Sequence, residues 1–97
     1  MSRLIWSPEA LKGVQRCYRF LADKNPAAAT QAVRAIRDGM RTIQAHPAAG
    51  RPVAHLALEF REWLIPFGSS GYVALYRADG ERIVVLAVRH QREAGYA

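Results

Sequence analysis

Apolar residues recur at steps of three and four along two successive stretches of the chain, the spacing that places them on one face of an α-helix. The first stretch follows Ser7, which can cap a helix, and Pro8, which suits the first helical position. The second extends from about Pro26 to Ala45 and ends at His46, which precedes a proline. The sequence therefore predicts two helices with a short linker, an arrangement that favours an antiparallel helical hairpin.

Four shorter stretches carry the β-branched and aromatic residues that are typical of strands. Asp79 and Gly80 separate the last two stretches, and this dipeptide is a strong hairpin signal. The three strands that follow the helices therefore predict an antiparallel meander, whereas the pairing of the first strand stays open. The expected fold class is α+β in the order β-α-α-β-β-β, with the helical hairpin packed on one face of a small, mainly antiparallel sheet. The predicted strands are residues 3–6, 60–67, 72–77 and 83–90.

The last predicted strand is apolar on both faces, although two helices that precede the sheet should cover only one face. Trp63 and Ile65 alternate with Leu64 in the same way. An uncovered apolar face usually marks a partner-binding site, although the first or last residues of the chain are an alternative cover. Strict alternation places Ile83, Val85 and Ala87 on one face and Val84, Leu86 and Val88 on the other.

Composition agrees with one globular domain over residues 1–97, because hydrophobic residues make up 51% of the chain and charged residues 23%. No apolar run reaches the roughly 18 residues that a membrane-spanning helix requires. The first residues lack the apolar core of a signal peptide, so we expect a cytoplasmic protein. Cys17 is the single cysteine, which excludes an internal disulfide and fits a reducing compartment. We expect it to be a small core residue rather than a nucleophile.

The net charge of +6 predicts a polyanionic partner, either nucleic acid or an acidic protein. Lys12 and Lys24 are the only lysines among the 14 cationic residues, so the charge is carried mainly by arginine. Arginine binds phosphate or carboxylate through a planar pair of donors. An arginine codon bias in a high-GC genome is the alternative explanation. Three arginines form a separate stripe on the second predicted helix: Arg34, Arg37 and Arg41.

The last residues of the chain include several side chains of the types that bind or cleave a phosphodiester. The last apolar strand leads directly into a basic and polar segment, which offers donors, a general acid or base, and a phenol. A metal site is not expected, because the three histidines lie far apart on different elements. No cofactor is expected either, since the glycine-containing loop at residues 68–71 lacks the lysine of a P-loop. The residues of interest are Arg89, His90, Arg92, Glu93 and Tyr96.

Several local phrases, taken in order, resemble the RelE/ParE superfamily of bacterial toxins over essentially the whole chain. The resemblance implies a type II toxin-antitoxin (plasmid stabilisation) system, in which an antitoxin wraps the toxin with its C-terminal segment and silences it. That partner, which is ParD-like and has an acidic C-terminal segment, would account for the basic surface and the uncovered apolar face. The phrases are Trp6-Ser7-Pro8-Glu9-Ala10, Gly50-Arg51-Pro52, Arg61-Glu62-Trp63, the run at residues 72–77 and Arg89-His90-Gln91-Arg92-Glu93.

One branch of the superfamily, which is similar to RelE, consists of ribosome-dependent mRNA endonucleases. For that activity the resemblance nominates His90 or Tyr96 for proton transfer and Arg61 and Arg92 as phosphate clamps. Two departures count against it. The segment after the second helix lacks the lysines of RelE-like members, and Val73 stands where they commonly have an arginine.

The other branch, which is similar to ParE, inhibits DNA gyrase by binding and requires no catalytic residues. The resemblance is closer to this branch, and it implies a toxin-antitoxin hetero-oligomer. A third reading is a non-toxic basic nucleic-acid-binding or adaptor module. The expected target-binding residues are Arg89, His90, Arg92 and Glu93. The expected antitoxin-binding residues are Trp63, Ile65, Val84, Leu86, Val88, Arg34, Arg37 and Arg41.

Overall fold

A computed structural model describes residues 2–93 of the chain. The two predicted helices and the four predicted strands are confirmed, and the predicted α+β order holds. A short strand of two residues, β2, was not predicted. The elements are β1 (Arg3–Trp6), α1 (Pro8–Ala22), α2 (Pro26–Ala45), β2 (Arg51–Pro52), β3 (Phe60–Phe67), β4 (Ser70–Ala78) and β5 (Arg82–His90).

Both helices begin at the capping residues that the sequence indicates. The side chain of Ser7 accepts a hydrogen bond from the backbone N–H of Ala10 at 3.1 Å. Asn25 caps α2 in the same way and accepts from Ala28 at 3.1 Å. Each cap satisfies a backbone donor that the first helical turn leaves unpaired, and a proline follows each cap.

The five strands form one mixed sheet in the order β1-β5-β4-β3-β2. The three long strands are antiparallel neighbours, as predicted. β1 pairs in parallel with β5, so that Leu4 lies opposite Ile83 and Trp6 opposite Val85. The helical hairpin carries the chain from one edge of the sheet to the other, and the meander then returns to β1. The pairing of β1, which was open from the sequence, follows from this path.

The turn between β4 and β5 is the one that Asp79 and Gly80 predict. Oδ1 of Asp79 accepts the backbone N–H groups of Glu81 and Arg82 at 3.2 and 2.9 Å. Gly80 has a φ of 93°, a conformation that favours glycine because it has no Cβ. The hydrogen bonds to its carboxylate lower the pKa of Asp79 below the ordinary value.

The main hydrophobic core lies between the helical hairpin and one face of the sheet. From α2, Ile36, Met40 and Ile43 are fully buried against sheet residues that include Tyr76. α1 comes so close to β5 that a Cβ on Gly13 would overlap the backbone carbonyl of Val88. Glycine at this helix position therefore permits the contact that places α1 over the sheet.

A β-bulge in β5 changes which residues face the helices. Ala74 pairs with Val88, and Tyr76 pairs with Val85, so β5 contains one more residue than β4 between these two pairs. The alternation of faces therefore shifts by one residue at the bulge, and Val88 joins Val85 on the helix side. The prediction that Val88 lies opposite Val85 is wrong, because it assumed strict alternation. Val88 is only 2% exposed.

The open face of the sheet also differs from the expected partner surface. Ile65 is 3% exposed and packs under α2, and Trp63 is half-buried against the same core. Ile65 and Val88 therefore cannot form an exposed antitoxin surface while the core is intact. The opposite face carries Leu64, which is 39% exposed, and Val84, which is half-buried. Uncovered apolar residues are present, but they are partly a different set from the predicted one.

Candidate functional site

The chain turns sharply after β5 and stays attached to β4. The ring of His90 meets the ring of Tyr72 edge-on, with centroids 5.6 Å apart. Nδ1 of His90 accepts a hydrogen bond from the backbone N–H of Arg92 at 3.1 Å. The N–H of Gln91 donates to the carbonyl of Gly71 at 2.9 Å. These contacts bring His90 and Arg92 together, as the sequence suggested.

Arg89 stabilises the turn from within. Its Nη1 donates to the backbone carbonyl oxygens of His90 and Gln91, at 3.3 Å each, and of Glu93, at 2.9 Å. One guanidinium nitrogen thus binds three carbonyl groups of the residues that follow it. The geometry makes Arg89 a support for residues 90–93, although the sequence placed it among the target-binding residues.

An ion pair joins the turn to α1. Nη2 of Arg16 lies 2.9 Å from Oε2 of Glu93, and its Nε lies 3.5 Å from Oε1. The same Nη2 donates to the carbonyl of Val88 at 3.4 Å. Arg16 was not among the residues predicted from the sequence. No local signal pairs it with Glu93, because 77 positions separate the two residues.

These contacts enclose a cavity of about 600 Å³, which we call the terminal groove. It lies between the last turns of α1, the tip of the β3–β4 hairpin and the turn after β5. Its lining is mainly apolar and includes Phe20, whose side chain is 72% exposed. Three of the four predicted target-binding residues line it, and Arg89 does not. The lining residues are Arg16, Cys17, Phe20, Leu21, Phe67, Gly68, Ser69, Ser70, Tyr72, His90, Arg92 and Glu93.

Cys17 contributes to the floor of the terminal groove and is nearly fully buried. Burial raises the pKa of its thiol to about 11, with a further contribution from the charge of Glu93. The thiol therefore stays protonated near neutral pH and is a poor nucleophile. The expectation that Cys17 is a core residue is confirmed.

The arginine stripe of α2 borders a second cavity, of about 440 Å³, on the outer surface of the helical hairpin. Arg41 lies 3.5 Å from Asp38, its neighbour on the helix. Arg34 and Arg37 make no ion pair within residues 2–93. Tyr18 and Thr30 add hydroxyl groups to the lining. The cavity therefore presents two uncompensated guanidinium groups, which suits carboxylate or phosphate groups.

Arg61 lies apart from His90 and Arg92, the other described residues that were nominated for a nuclease. Arg61 pairs with Tyr76 on β4, whereas His90 pairs with Tyr72 on the same strand. A step of four residues along an extended strand places these two positions about 13 Å apart. Nη1 of Arg61 donates to the carbonyl of Gly50 at 2.7 Å, a contact that braces the connector after α2. Tyr96, the remaining nominee besides Arg92, lies outside the described residues.

Gly50-Arg51-Pro52 and Arg61-Glu62-Trp63, two of the segments that resemble the superfamily, are neighbours in the sheet. Arg51 of β2 lies opposite Glu62 of β3, and Nη2 of Arg51 is 3.1 Å from Oε1 of Glu62. The phenol of Tyr76 accepts the N–H of Gly50 at 3.0 Å and donates to the carbonyl of Pro47 at 2.7 Å. These residues hold the connector after α2 against the sheet, which is a structural role.

Comparison with known protein families identifies the family of this chain. The family described as the ParE toxin of the type II toxin-antitoxin system parDE matches residues 4–95. The chain belongs to the ParE toxin family. It is thus a toxin of the type II toxin-antitoxin class, which confirms the superfamily expected from the resemblance. No helix among residues 2–93 is both long enough and apolar enough to cross a membrane.

Two known proteins are similar to this ParE-family toxin over most of its length. It is 29% identical over 86 residues to Toxin RelE3 of Caulobacter vibrioides, covering 89% of this chain and 90% of that relative. The solved structure of a chromosomal ParDE toxin-antitoxin system from P. aeruginosa matches with a TM-score of 0.72 at 20% identity. That match covers 93% of this chain and 96% of the other, and it confirms the fold.

Proposed function

We propose that this ParE-family toxin acts in the cytoplasm and inhibits DNA gyrase by binding, without chemistry of its own. The observation that carries the proposal is the set of hydrogen bonds that holds residues 89–93. Arg89 holds this turn through three carbonyl groups, and Arg16 attaches it to α1. A surface that is ordered before binding loses less conformational entropy on association, so such a turn suits recognition. His90 and Arg92 are the side chains of the turn that we assign to target contact.

The nuclease alternative has weaker support from the geometry. Cleavage of RNA by general acid–base catalysis requires the proton-transfer group and the phosphate clamps within reach of one phosphate. Arg61 and His90 lie at opposite ends of β4, and Arg61 is engaged with the connector. Binding without cleavage therefore agrees better with the arrangement of these side chains.

Arg92→Glu is expected to weaken gyrase inhibition on the order of tenfold, because a like-charge contact would replace an attractive one. Arg92 is exposed, so the substitution should leave the thermal midpoint within about 2 °C, as for other surface changes. The measurement is the toxin concentration that halves DNA supercoiling by purified gyrase. Arg3→Glu is the matched control, because Arg3 of β1 is exposed and lies beside Arg82, at the end of β5 that is far from Arg92.

The same preparation should leave ribosome-bound mRNA intact. Cleaved mRNA together with normal supercoiling would contradict the proposal and favour the nuclease. His90→Ala and Arg61→Ala would then be the decisive variants, since a nuclease should lose its toxicity with either one. Equal inhibition by the Arg92→Glu variant and the unmodified chain would instead remove Arg92 from the target contact.

We further propose that a cognate antitoxin silences the toxin in a hetero-oligomer, through an acidic segment on the arginine stripe. Support comes from the cavity on the outer surface of the helical hairpin, where Arg34 and Arg37 lack ion-pair partners among the described residues. The open face of the sheet supplies a second contact area. Its partly exposed apolar residues include Val84 and Leu64, and Leu86, at the bulge, is half-buried.

The double variant Arg34→Glu/Arg37→Glu is expected to bind the antitoxin at least tenfold more weakly, because two attractive charges become repulsive. Its affinity should also depend less on salt concentration, since fewer opposite charges meet at the interface. Isothermal titration at two salt concentrations measures both effects. Lys12→Glu/Arg3→Glu is the control, with the same change in net charge at exposed positions elsewhere. An equal loss of affinity in both double variants would reduce the effect to net charge.

A further inference from the structure

The terminal groove has the shape and lining of a receptor for a bulky apolar side chain. Its floor contains Cys17 and Tyr72, which are 5% and 2% exposed. One side is formed by Phe20 of α1 and the other by Phe67 at the end of β3, whose ring lies 5.9 Å from the ring of Tyr72. The volume of about 600 Å³ falls within the roughly 300–1,000 Å³ of small-ligand sites, so the groove has room for a large side chain.

Phe20 is a large apolar residue of the groove that does not pack into the core. Its side chain is 72% exposed, although the neighbouring positions Cys17 and Leu21 pack against the core. The ammonium group of Lys24 lies 5.9 Å from the centre of its ring, which leaves most of the ring open to solvent. Exposed aromatic residues beside a partly enclosed apolar pocket are typical of binding anchors.

The charges at the rim of the groove indicate the chemistry of the occupant. Arg16, Arg92 and Lys24 contribute positive charge around the opening, and Glu93 is the carboxylate that lines it. Glu93 is bound to Arg16, so the charge that remains at the rim among residues 2–93 is positive. A complementary segment therefore carries a carboxylate next to its apolar anchor. The mainly apolar lining favours a protein segment over free phosphate, because phosphate offers no apolar group to fill the space between the phenylalanine rings.

We propose that the terminal groove receives a segment of the inhibited target protein in which a large apolar side chain stands next to an acidic residue. This inference rests on the proposed gyrase inhibition and deepens it, because it adds Phe20 and Phe67 to the target-binding residues His90 and Arg92. The apolar anchor enters between the two phenylalanine rings. The neighbouring carboxylate pairs with Arg92.

The test compares Phe20→Ala with Leu58→Ala, because each removes a large exposed apolar side chain. Leu58 is 81% exposed in the connector before β3 and does not line the groove. Phe20→Ala should raise the dissociation constant for purified gyrase at least tenfold, as expected for an anchor residue, and Leu58→Ala should not change it. Both variants should keep the thermal midpoint, because neither residue is buried. Phe20→Trp should retain binding, since an aromatic anchor contact is preserved.

Failure of the groove proposal and failure of gyrase inhibition give different experimental results. If the unmodified chain inhibits gyrase and Phe20→Ala inhibits equally well, the groove inference is overturned and gyrase inhibition stands. The inference also fails if Phe20→Ala weakens only antitoxin binding, or if it weakens binding of a single-stranded oligonucleotide instead of gyrase.

If the unmodified chain does not inhibit gyrase, the proposed function fails, and titration with 8-anilino-1-naphthalenesulfonate tests the groove alone. This probe combines an aromatic body with an anionic group. One stoichiometric site that disappears in Phe20→Ala and persists in Leu58→Ala supports a receptor for an acidic apolar group. No such site overturns it.

Discussion

Gly13→Val is expected to lower the free energy of unfolding by about 3 kcal/mol, the upper end of the usual cost of overpacking. A Cβ at this position would overlap the carbonyl oxygen of Val88 and lie 3.2–3.3 Å from its backbone carbon and nitrogen. Backbone atoms of β5 cannot rotate away as the end of a side chain can. α1 must therefore shift away from the sheet, and apolar contacts across the interface are lost.

Thermal unfolding followed by circular dichroism measures the effect of Gly13→Val. For a chain of this length, a loss of about 3 kcal/mol corresponds to a fall of roughly 12–24 °C in the midpoint. Gln15→Val is the matched control, because Gln15 is an exposed residue of the same helix. Its cost should be only the few tenths of a kcal/mol that separate the helix propensities of these residues. Equal midpoints for the two variants would show that α1 does not depend on the close contact with β5.

Tyr76→Phe is expected to cost about 2 kcal/mol, although it removes a single oxygen atom. The phenol of Tyr76 accepts from the N–H of Gly50 and donates to the carbonyl of Pro47. Gly50 is buried, so its N–H would be left without an acceptor. A buried donor without an acceptor accounts for most of the free energy lost when a buried hydrogen bond is removed. Chemical denaturation of the two proteins measures the difference. Tyr18→Phe is the control, because no hydrogen bond of the Tyr18 phenol is found within residues 2–93.

The same phenol makes stability depend on alkaline pH. Burial raises the pKa of Tyr76 above its ordinary value of 10.0 in the folded chain, while the unfolded chain keeps that value. The stabilisation of the neutral phenol is therefore present below about pH 10 and declines as the pH rises beyond that value. The unfolding free energy of Tyr76→Phe should fall less steeply with pH in that range. An identical slope in both proteins would contradict the assignment.

The sequence alone predicted the helices, the long strands and the superfamily, because the residue patterns that indicate them are local. The caps at Ser7 and Asn25, the periodic apolar faces and the Asp79-Gly80 turn depend on neighbours within a few positions. β2 was missed because two residues carry no periodic pattern. Its pairing with β3 depends on the contact of Arg51 with Glu62, which only the folded chain creates.

The candidate site was only partly predictable. His90, Arg92 and Glu93 follow an apolar strand directly, so their proximity is a local property of the chain. Arg16, Phe20 and Phe67 come from elements that are distant in sequence, and packing of α1 over the sheet brings them to the same groove.

The sequence by itself determined the two helices, the meander, the toxin superfamily and the region that carries the candidate chemistry. These features follow from residue periodicity, turn chemistry and side-chain type. Only the tertiary structure decided on which face of the sheet the last residues of β5 lie. The bulge opposite Leu75 and Tyr76 shifts the alternation of β5, and it turns Val88 toward the helices. Whether a strand contains an extra residue depends on its partner strand, so no pattern within β5 could show it.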